Sequence, residues 1–283
     1  MPRPNPVGLV HNHSRPDSRK LVESLVHSLG LQDRSWLSTP ADLAEQEARF
    51  GDTSLVVVAG GDGTILRTIR GVAPFDLPIV GINMGRVGFM SELTVQEAEE
   101  KLPSYLNGDY RVEERMMLSA TVKRLGSTES GHEMHALNDV VVARGRAVRL
   151  LDIRTVVDGV PLTTYRADGV IVATPTGSTG YAMSAGGSIL YPEARLIVVQ
   201  PIAAHTGLRE GVVLPGDSRV ELTPGEGGES VLSFDSVSEE VLEDGSTVIV
   251  GPSPYVARFL RANPASAFYS AVTRHLGLPS MDG

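Results

Sequence analysis

The first hundred residues alternate short apolar runs with glycine-rich turns and amphipathic stretches. Val7 to Val10 is an apolar run that stops at the polar cluster His11-Asn12-His13-Ser14-Arg15-Pro16, after which Leu21, Val22, Leu25, Val26 and Leu29 recur at helical spacing until Gly30. This predicts a strand followed by a helix, with Asp17 placed to cap it. Residues 31 to 53 are polar and loosely helical. Leu55 to Arg67 then reads as a buried strand, the turn Gly60-Gly61-Asp62-Gly63-Thr64, and an opening helix at Ile65-Leu66-Arg67. Leu77 to Ile82 predicts another strand, running into Gly81-Ile82-Asn83-Met84-Gly85-Arg86-Val87-Gly88-Phe89. From Thr94 to Asn107 the pattern is that of an amphipathic helix, capped by Thr94 with Glu97 three residues on and closed by Gly108.

Beyond Gly108 the texture changes to short β-rich runs split by Gly, Pro and Asp: Tyr110 to Arg124, Ala136 to Ala143, Leu150 to Val157, Gly169 to Ala173, Leu196 to Gln200, Arg219 to Leu222, Val231 to Phe234 and Thr247 to Val250. Ala265 to Leu276 is again helical in pattern. The expected architecture is an α/β N-terminal domain, Rossmann-like with an open parallel sheet, followed by an all-β domain of β-sandwich type, with the terminal helix returning to the first domain. Domain limits of 1–108 plus 264–283, and 109–263, follow from the same texture. The loops Gly126 to Glu133 and Pro224 to Gly228 carry no visible chemistry.

Two glycine turns and one hydroxyl-rich loop carry the candidate chemistry. At 60–64 the glycines expose backbone N–H groups and the helix start adds partial positive charge, so a phosphate is the natural occupant. Asp62 would repel that phosphate unless a divalent cation lies between them or the carboxylate takes a proton, which points to phosphoryl chemistry rather than passive binding. No Lys-Ser/Thr pair follows, so this is not a P-loop, and Gly81, Gly85 and Gly88 lack the spacing of a dinucleotide fingerprint. In an open parallel sheet the strand ends on one edge face a common crevice, so Asn83 is expected beside Asp62, as an amide for ribose or phosphate or as a simple turn residue. Between strand and helix, Thr174-Pro175-Thr176-Gly177-Ser178-Thr179-Gly180-Tyr181, preceded by Arg166 and Asp168, has more short hydrogen-bonding groups than a connector needs and suits a nucleotide. Asn138-Asp139 and Asp235 are strand-end residues open to either a turn or a binding role. His11 and His13 read as a solvated loop before a metal pair, and His205 as a structural hydrogen bonder.

Composition narrows the classes. A chain of 283 residues with 41% hydrophobic and 21% charged residues can bury a full core in two domains. Zero cysteines exclude disulfides, thiolate metal sites and cysteine nucleophiles, and a net charge of -9 argues against a general nucleic-acid or acidic-membrane binder. The N-terminus lacks the apolar segment of a signal peptide and no later run reaches transmembrane length, so no membrane partner and a cytoplasmic location are expected.

Together these motifs resemble those of the NAD kinase family. Its Gly-Gly-Asp-Gly-Thr motif is similar to residues 60 to 64, its Gly-Ile-Asn-x-Gly-x-x-Gly-Phe stretch to 81 to 89, its Asn-Glu/Asp motif to Asn138-Asp139, and its glycine- and threonine-rich signature to Asp168 through Gly187. Phe268-Tyr269 and His275-Leu276-Gly277-Leu278 extend the likeness to the C-terminus. The resemblance implies transfer of the terminal phosphate of ATP, or of polyphosphate, to the adenosine-ribose 2′-hydroxyl of NAD, giving NADP. Asp62 would be the catalytic carboxylate and Gly60, Gly61, Gly63, Thr64 and Arg67 the donor-phosphate set. Asn83, Asn138, Asp139, Arg166, Asp168, Thr176, Thr179, Gly180, Tyr181 and Asp235 would bind NAD. Mg2+ would arrive on the donor phosphates rather than on a protein cage, and the family implies a homodimer or homotetramer. The chain departs from the family at Asp139, the shorter acid, at Ala204, Glu210 and Gly211 around His205 and Arg209, and at Phe234-Asp235-Ser236, where Asp-Gly is usual. A diacylglycerol-type lipid kinase shares the 60–64 turn but would want an apolar groove. A non-catalytic nucleotide sensor would bind NAD or NADP without turnover.

Overall fold

A computed structural model of the chain describes residues 5–85, 88–126, 131–145, 150–226, 228–236 and 238–277. Arg86-Val87 of the second glycine turn, parts of the two loops at 126–133 and 224–228, and Leu278 lie outside the described residues. The chain divides into two compact units, Met1–Glu114 with Ala257–Gly283, and Arg115–Val256.

The first unit is a parallel sheet dressed with helices. Its elements are β1 (Val7–His11), α1 (Pro16–Ser28), β2 (Ser35–Ser38), β3 (Leu55–Gly60), α2 (Asp62–Val72), β4 (Ile79–Asn83), β5 (Leu93–Thr94) and α3 (Val95–Leu106). β1 pairs in parallel with β2 and β3, and β4 with β3 and β5. Every residue of β3 and β4 is buried, as strands covered on both faces must be. Val7, Leu9, Leu55, Val57, Val80 and Ile82 share one core with α1 and α3. Side chains alternate across a strand, and Gly81, out of phase with that set, lies against Ile65 of α2, so α2 covers the other face. α1 ends as expected, with Gly30 in the left-handed region at φ 62°.

The second unit is antiparallel. β6 (Arg111–Lys123) leads into it, followed by β7 (Met134–Ala136), β8 (Asp139–Arg144), β9 (Leu151–Val157), β10 (Val160–Ala167), β11 (Gly169–Ala173), the short α4 (Tyr181–Ser184), β12 (Leu196–Ile202), β13 (Val212–Pro215), β14 (Val220–Pro224), β15 (Ser230–Phe234), β16 (Ser238–Leu242) and β17 (Thr247–Arg261). One sheet runs β13-β12-β11-β8-β15-β16, and β10-β9-β14-β17 belong to the other. Residues from both sheets, among them Leu118, Val140, Val142, Ile153, Tyr165, Val172, Val199, Leu222, Phe234 and Val248, form one core, which is the sandwich arrangement. From Ala257 onward the chain belongs to the first unit again: Phe259 pairs with Ile79, and α5 (Ala267–His275) brings His275 to 4.3 Å from the Phe89 ring.

Several sequence expectations need correction. Asp17 does not cap α1; Arg15 stands at the N-cap with no side-chain bond, and Pro16 opens the helix because it lacks the N–H that a cap would satisfy. Residues 31–53 contain β2 and two 3-10 segments, Gln32–Arg34 and Leu43–Asp52, since Trp36 packs into the core beside Gly8. Ala136 to Ala143 is interrupted at Leu137-Asn138, and the last strand extends to Arg261 rather than stopping at Val250. The sequence predicts none of β10, β13 and β16 as strands; in β10 and β13 exposed faces dilute the apolar pattern.

The predicted capping box at α3 is present in full: Glu97 N–H donates to Thr94 Oγ1 at 3.3 Å and Thr94 N–H to Glu97 Oε2 at 3.0 Å. Lys101 adds an ammonium at 2.6 Å from Glu97, and these bonds hold the Glu97 carboxyl down to about 2. Thr94→Ala is expected to lower the unfolding free energy by about 1 kcal/mol, read from urea denaturation; an unchanged midpoint would show that the cap contributes nothing.

Candidate active site

In the first unit the C-terminal ends of three parallel strands bring the glycine turns together. Ala59 stands beside His11, and Gly60 beside Asn83. A side chain at Gly60 would collide with Thr64, so only glycine lets the strand turn this tightly into the helix. Gly61 is the N-cap of α2, and the N–H groups of Thr64 and Ile65 close on its carbonyl at 2.8 and 3.2 Å. Gly61, Gly63 and Arg67 are exposed, whereas Thr64 is buried. Helix geometry leaves the first N–H groups of α2 without an i−4 carbonyl, which is the phosphate-seeking end expected from the sequence.

Asp62 is held by one oxygen. Phe89 N–H donates to its Oδ2 at 3.1 Å, while Oδ1 is buried with no hydrogen-bond partner. Gly88 lies so close that a methyl group there would strike the carboxylate. Asn83 closes its own turn: Nδ2 donates to the Gly85 carbonyl at 3.2 Å and Oδ1 accepts from Gly85 N–H at 3.0 Å. Arg15, which nothing in its local sequence context marks out, donates to the Met84 carbonyl at 2.6 Å.

The second unit assembles its candidate residues around the break between β7 and β8. Asp139 lies opposite Ala173, Thr174 N–H donates to the Asn138 carbonyl at 2.8 Å, and Thr174 Oγ1 donates to the Leu137 carbonyl at 2.6 Å. Gly177 packs flat on the Asn138 backbone with no room for a Cβ. From the end of β15, Asp235 accepts N–H bonds from Leu137, Asn138 and Asp139 at 3.0, 2.7 and 3.2 Å. Asp235 and Ser236 both adopt left-handed backbone, at φ 51° and 54°, which makes the Gly usual at the second position conformationally intelligible. Burial, and then the negative charge of Asp235, push the Asp139 carboxyl up to about 7.

Three buried oxygens on these adjoining segments have no hydrogen-bond partner: Asn138 Oδ1, Asp139 Oδ1 and Thr176 Oγ1. Buried polar atoms in folded proteins are nearly all paired, so these unpaired acceptors and hydroxyl make the segments a candidate binding site. Asp168 is salt-bridged to Arg144 at 2.8 Å. Arg166 is exposed and its carbonyl accepts from His205 N–H at 2.8 Å, while Arg209 donates to the His205 carbonyl at 3.3 Å. Thr179 Oγ1 bonds the Thr176 carbonyl at 3.0 Å, and Tyr181, opening α4, is exposed. Arg144, at the end of a valine strand, carries no sequence signal for its role.

The model of the ATP-NAD kinase N-terminal domain matches residues 32–110, and that of the ATP-NAD kinase C-terminal domain matches residues 137–262. The chain is 36% identical over 273 residues to the NAD kinase of Dehalococcoides mccartyi strain CBDB1, covering 95% of each. It is 38% identical over 281 residues to that of Symbiobacterium thermophilum, covering 95% of this chain and 97% of the relative. The chain belongs to the NAD kinase family. Its fold is similar to that of the yeast NADH kinase solved with NADH, with TM-score 0.86 and 24% identity over 100% of this chain and 90% of that one. It is also similar to the Archaeoglobus fulgidus NAD kinase solved with ATP, with TM-score 0.75 and 24% identity over 96% and 99% of the chains.

The raised Asp139 carboxyl has a consequence for stability. Its ordinary value is 3.8, so as pH rises from about 4 to 7 the unfolded chain loses this proton before the folded one does, and the native state loses stability until both are ionised. Asp139→Asn removes that cost. At pH 8 the variant is expected to be more stable than the parent by about 1 kcal/mol or more, with the difference vanishing near pH 4 and NAD binding weakened throughout. Identical melting temperatures at pH 8 would contradict this.

Proposed function

We propose that this chain transfers the terminal phosphate of ATP to the 2′-hydroxyl of the adenosine ribose of NAD, giving NADP and ADP, with Asp62 accepting the hydroxyl proton. The half-held carboxylate of Asp62 carries this reading. A base needs one oxygen anchored and another with its lone pairs unspent, and Oδ2 is bonded to Phe89 N–H while buried Oδ1 has no hydrogen-bond partner. The ribose oxygen attacks the terminal phosphorus, the bond from that phosphorus to its bridging oxygen breaks, ADP carries away the electron pair, and the proton passes to Oδ1. The protein's share is positioning and charge stabilisation.

Donor phosphates are assigned to the N–H groups of Gly61 and Gly63 at the start of α2, with Gly60 and Thr64 shaping the turn and exposed Arg67 nearby on the helix. Among the described residues no group of three or more His, Asp or Glu forms a metal cage, while the exposed glycine turn beside Asp62 suits a cation carried on phosphates. Mg2+ bound there supplies charge neutralisation. Asn138, Asp139 and Thr176, with their open oxygens, are assigned the adenosine half of NAD. Thr179, Gly180 and Tyr181 line the dinucleotide, and Asp168 with Arg166 takes the nicotinamide side. Asn83 and Asp235 have their polar atoms engaged by backbone and are assigned to shaping the two turns. A homodimer or homotetramer in the cytoplasm belongs to the same reading and rests on family membership; no described helix is long and apolar enough to cross a membrane.

Purified protein with Mg2+, NAD or NADH as acceptor and ATP or polyphosphate as donor should produce NADP from ATP and NAD. Absence of NADP(H) in all four combinations would defeat the proposal. Asp62→Asn is expected to lower kcat by about 100-fold or more, and full activity in that variant would remove the proton-acceptor role.

A further inference from the structure

Behind Asp62, within the first unit, lies a buried ionic cluster that the reaction itself does not use. Arg261, at the end of β17, donates Nη1 to the carbonyls of Met90 and Ser91 at 3.1 and 3.3 Å and to Glu92 Oε2 at 3.1 Å. Its Nε and Nη2 reach Glu113 Oε1 at 3.2 and 3.1 Å, and Glu113 is bonded in turn by Arg111 at 2.9 Å. The other oxygen of Glu92 takes the backbone N–H groups of Ala262 and Asn263 at 3.0 and 3.3 Å and the Tyr105 hydroxyl at 3.3 Å. Arg261, Glu113 and Glu92 are all more than nine-tenths buried as side chains.

A cluster of this kind is a poor stabiliser, because the cost of desolvating three charges rivals their attraction and apolar residues of similar volume serve stability as well or better. What it can do, and apolar residues cannot, is fix main-chain carbonyls in direction. Arg261 keeps Nε and Nη2 on Glu113, which aims Nη1 at the carbonyls of Met90 and Ser91, the two residues after Phe89, and Glu92 N–H is bonded to the Gly81 carbonyl at 2.9 Å. The His275 ring packs on Phe89 at 4.3 Å. Phe89 is therefore held by a ring contact, and the two residues after it by Arg261.

We propose that Gly88 and Phe89 form a positioning wall for Asp62, and that Arg261 holds this wall through the carbonyls of Met90 and Ser91. The wall acts twice. Phe89 N–H captures Oδ2, and the missing side chain at Gly88 gives the carboxylate room to stand with Oδ1 packed against Gly88 and bonded to nothing. Gly88 and Arg261 are positioning residues, since neither is assigned a contact with substrate. The proposal rests on the reading of Asp62 as proton acceptor.

Gly88→Ala tests it with one methyl group placed in the volume of the carboxylate. Steady-state kinetics should show kcat reduced by about 100-fold, since a displacement near 1 Å at a reacting group costs that much. KM for NAD and for ATP should stay within about twofold of the parent, because uniform binding is untouched. In an Asp62→Asn background the same substitution should cause no further loss, which a merely structural effect would not reproduce. Arg261→Lys keeps the charge but cannot hold Glu113 and both carbonyls at once, and should lower kcat by about tenfold with the same KM pattern and no further loss in the Asp62→Asn background. This second variant decides the matter should Gly88→Ala fail to fold. Parental kcat in folded Gly88→Ala or Arg261→Lys overturns the proposal, as does a further loss in the Asp62→Asn background. If Asp62→Asn is itself fully active, the proton-acceptor reading fails instead, so the two failures are told apart.

Discussion

The proton-acceptor role proposed for Asp62 requires a carboxylate anchored without being used up, and in the first unit Asp62 Oδ2 is held by a single bond from Phe89 N–H. A second donor would hold the carboxylate more firmly and make it a weaker base, since each hydrogen bond to the charged form favours that form. Leaving both oxygens free would let the side chain rotate. The compromise needs a wall with one N–H and no side chain next to it, which is what Gly88-Phe89 presents. The tight turn at Gly60, the helix start at Asp62 and the return of the chain at Arg261 all bear on where that wall meets that carboxylate.

The second unit solves a related problem by opposite means. Asp235 receives three backbone N–H bonds and is thereby fixed as a structural anion. Asp139, its carboxyl raised first by its own burial and then by the charge of Asp235, keeps its Oδ1 unpaired. A chain selected for stability alone would not place two carboxylates so near each other in a dry environment. The cost becomes intelligible if a ligand brings hydrogen-bond donors to the open oxygens, because buried acceptors left without partners are worth more to a binding partner than solvated ones.

What could be read from sequence followed the range of the interaction. The βα turn at 60–64, the capping box at Thr94 and the hydroxyl-rich loop are local patterns, and each is present as drawn. Contacts between distant segments were silent: Asp235 looked like one more strand-end acid, and its bonds reach residues about a hundred positions away. For Asn83 the sequence leaves two readings open, since an amide in a glycine turn is equally suited to a ligand and to its own turn, and in the structure both its polar atoms bond Gly85 within the turn. An edge strand such as β13 is silent in the sequence because half of it faces outward and the alternation is brief. Arg261 left no local trace at all, being the last residue of a strand whose second half had not been recognised.

The distribution of charge ties these points together. The chain carries -9 overall, yet its proposed substrates are anions. Net charge therefore does not favour their approach. Recognition has to come from short-range groups that face the ligand after desolvation: backbone N–H at the glycine turn, open oxygens at 138, 139 and 176, and a few arginines. Sites built this way depend on backbone placement to within a few tenths of an ångström, more than on the count of charges. That is why glycines recur at the contact points, at 60, 88 and 177, where any side chain would occupy the space that a carboxylate, a hydroxyl or a carbonyl already fills.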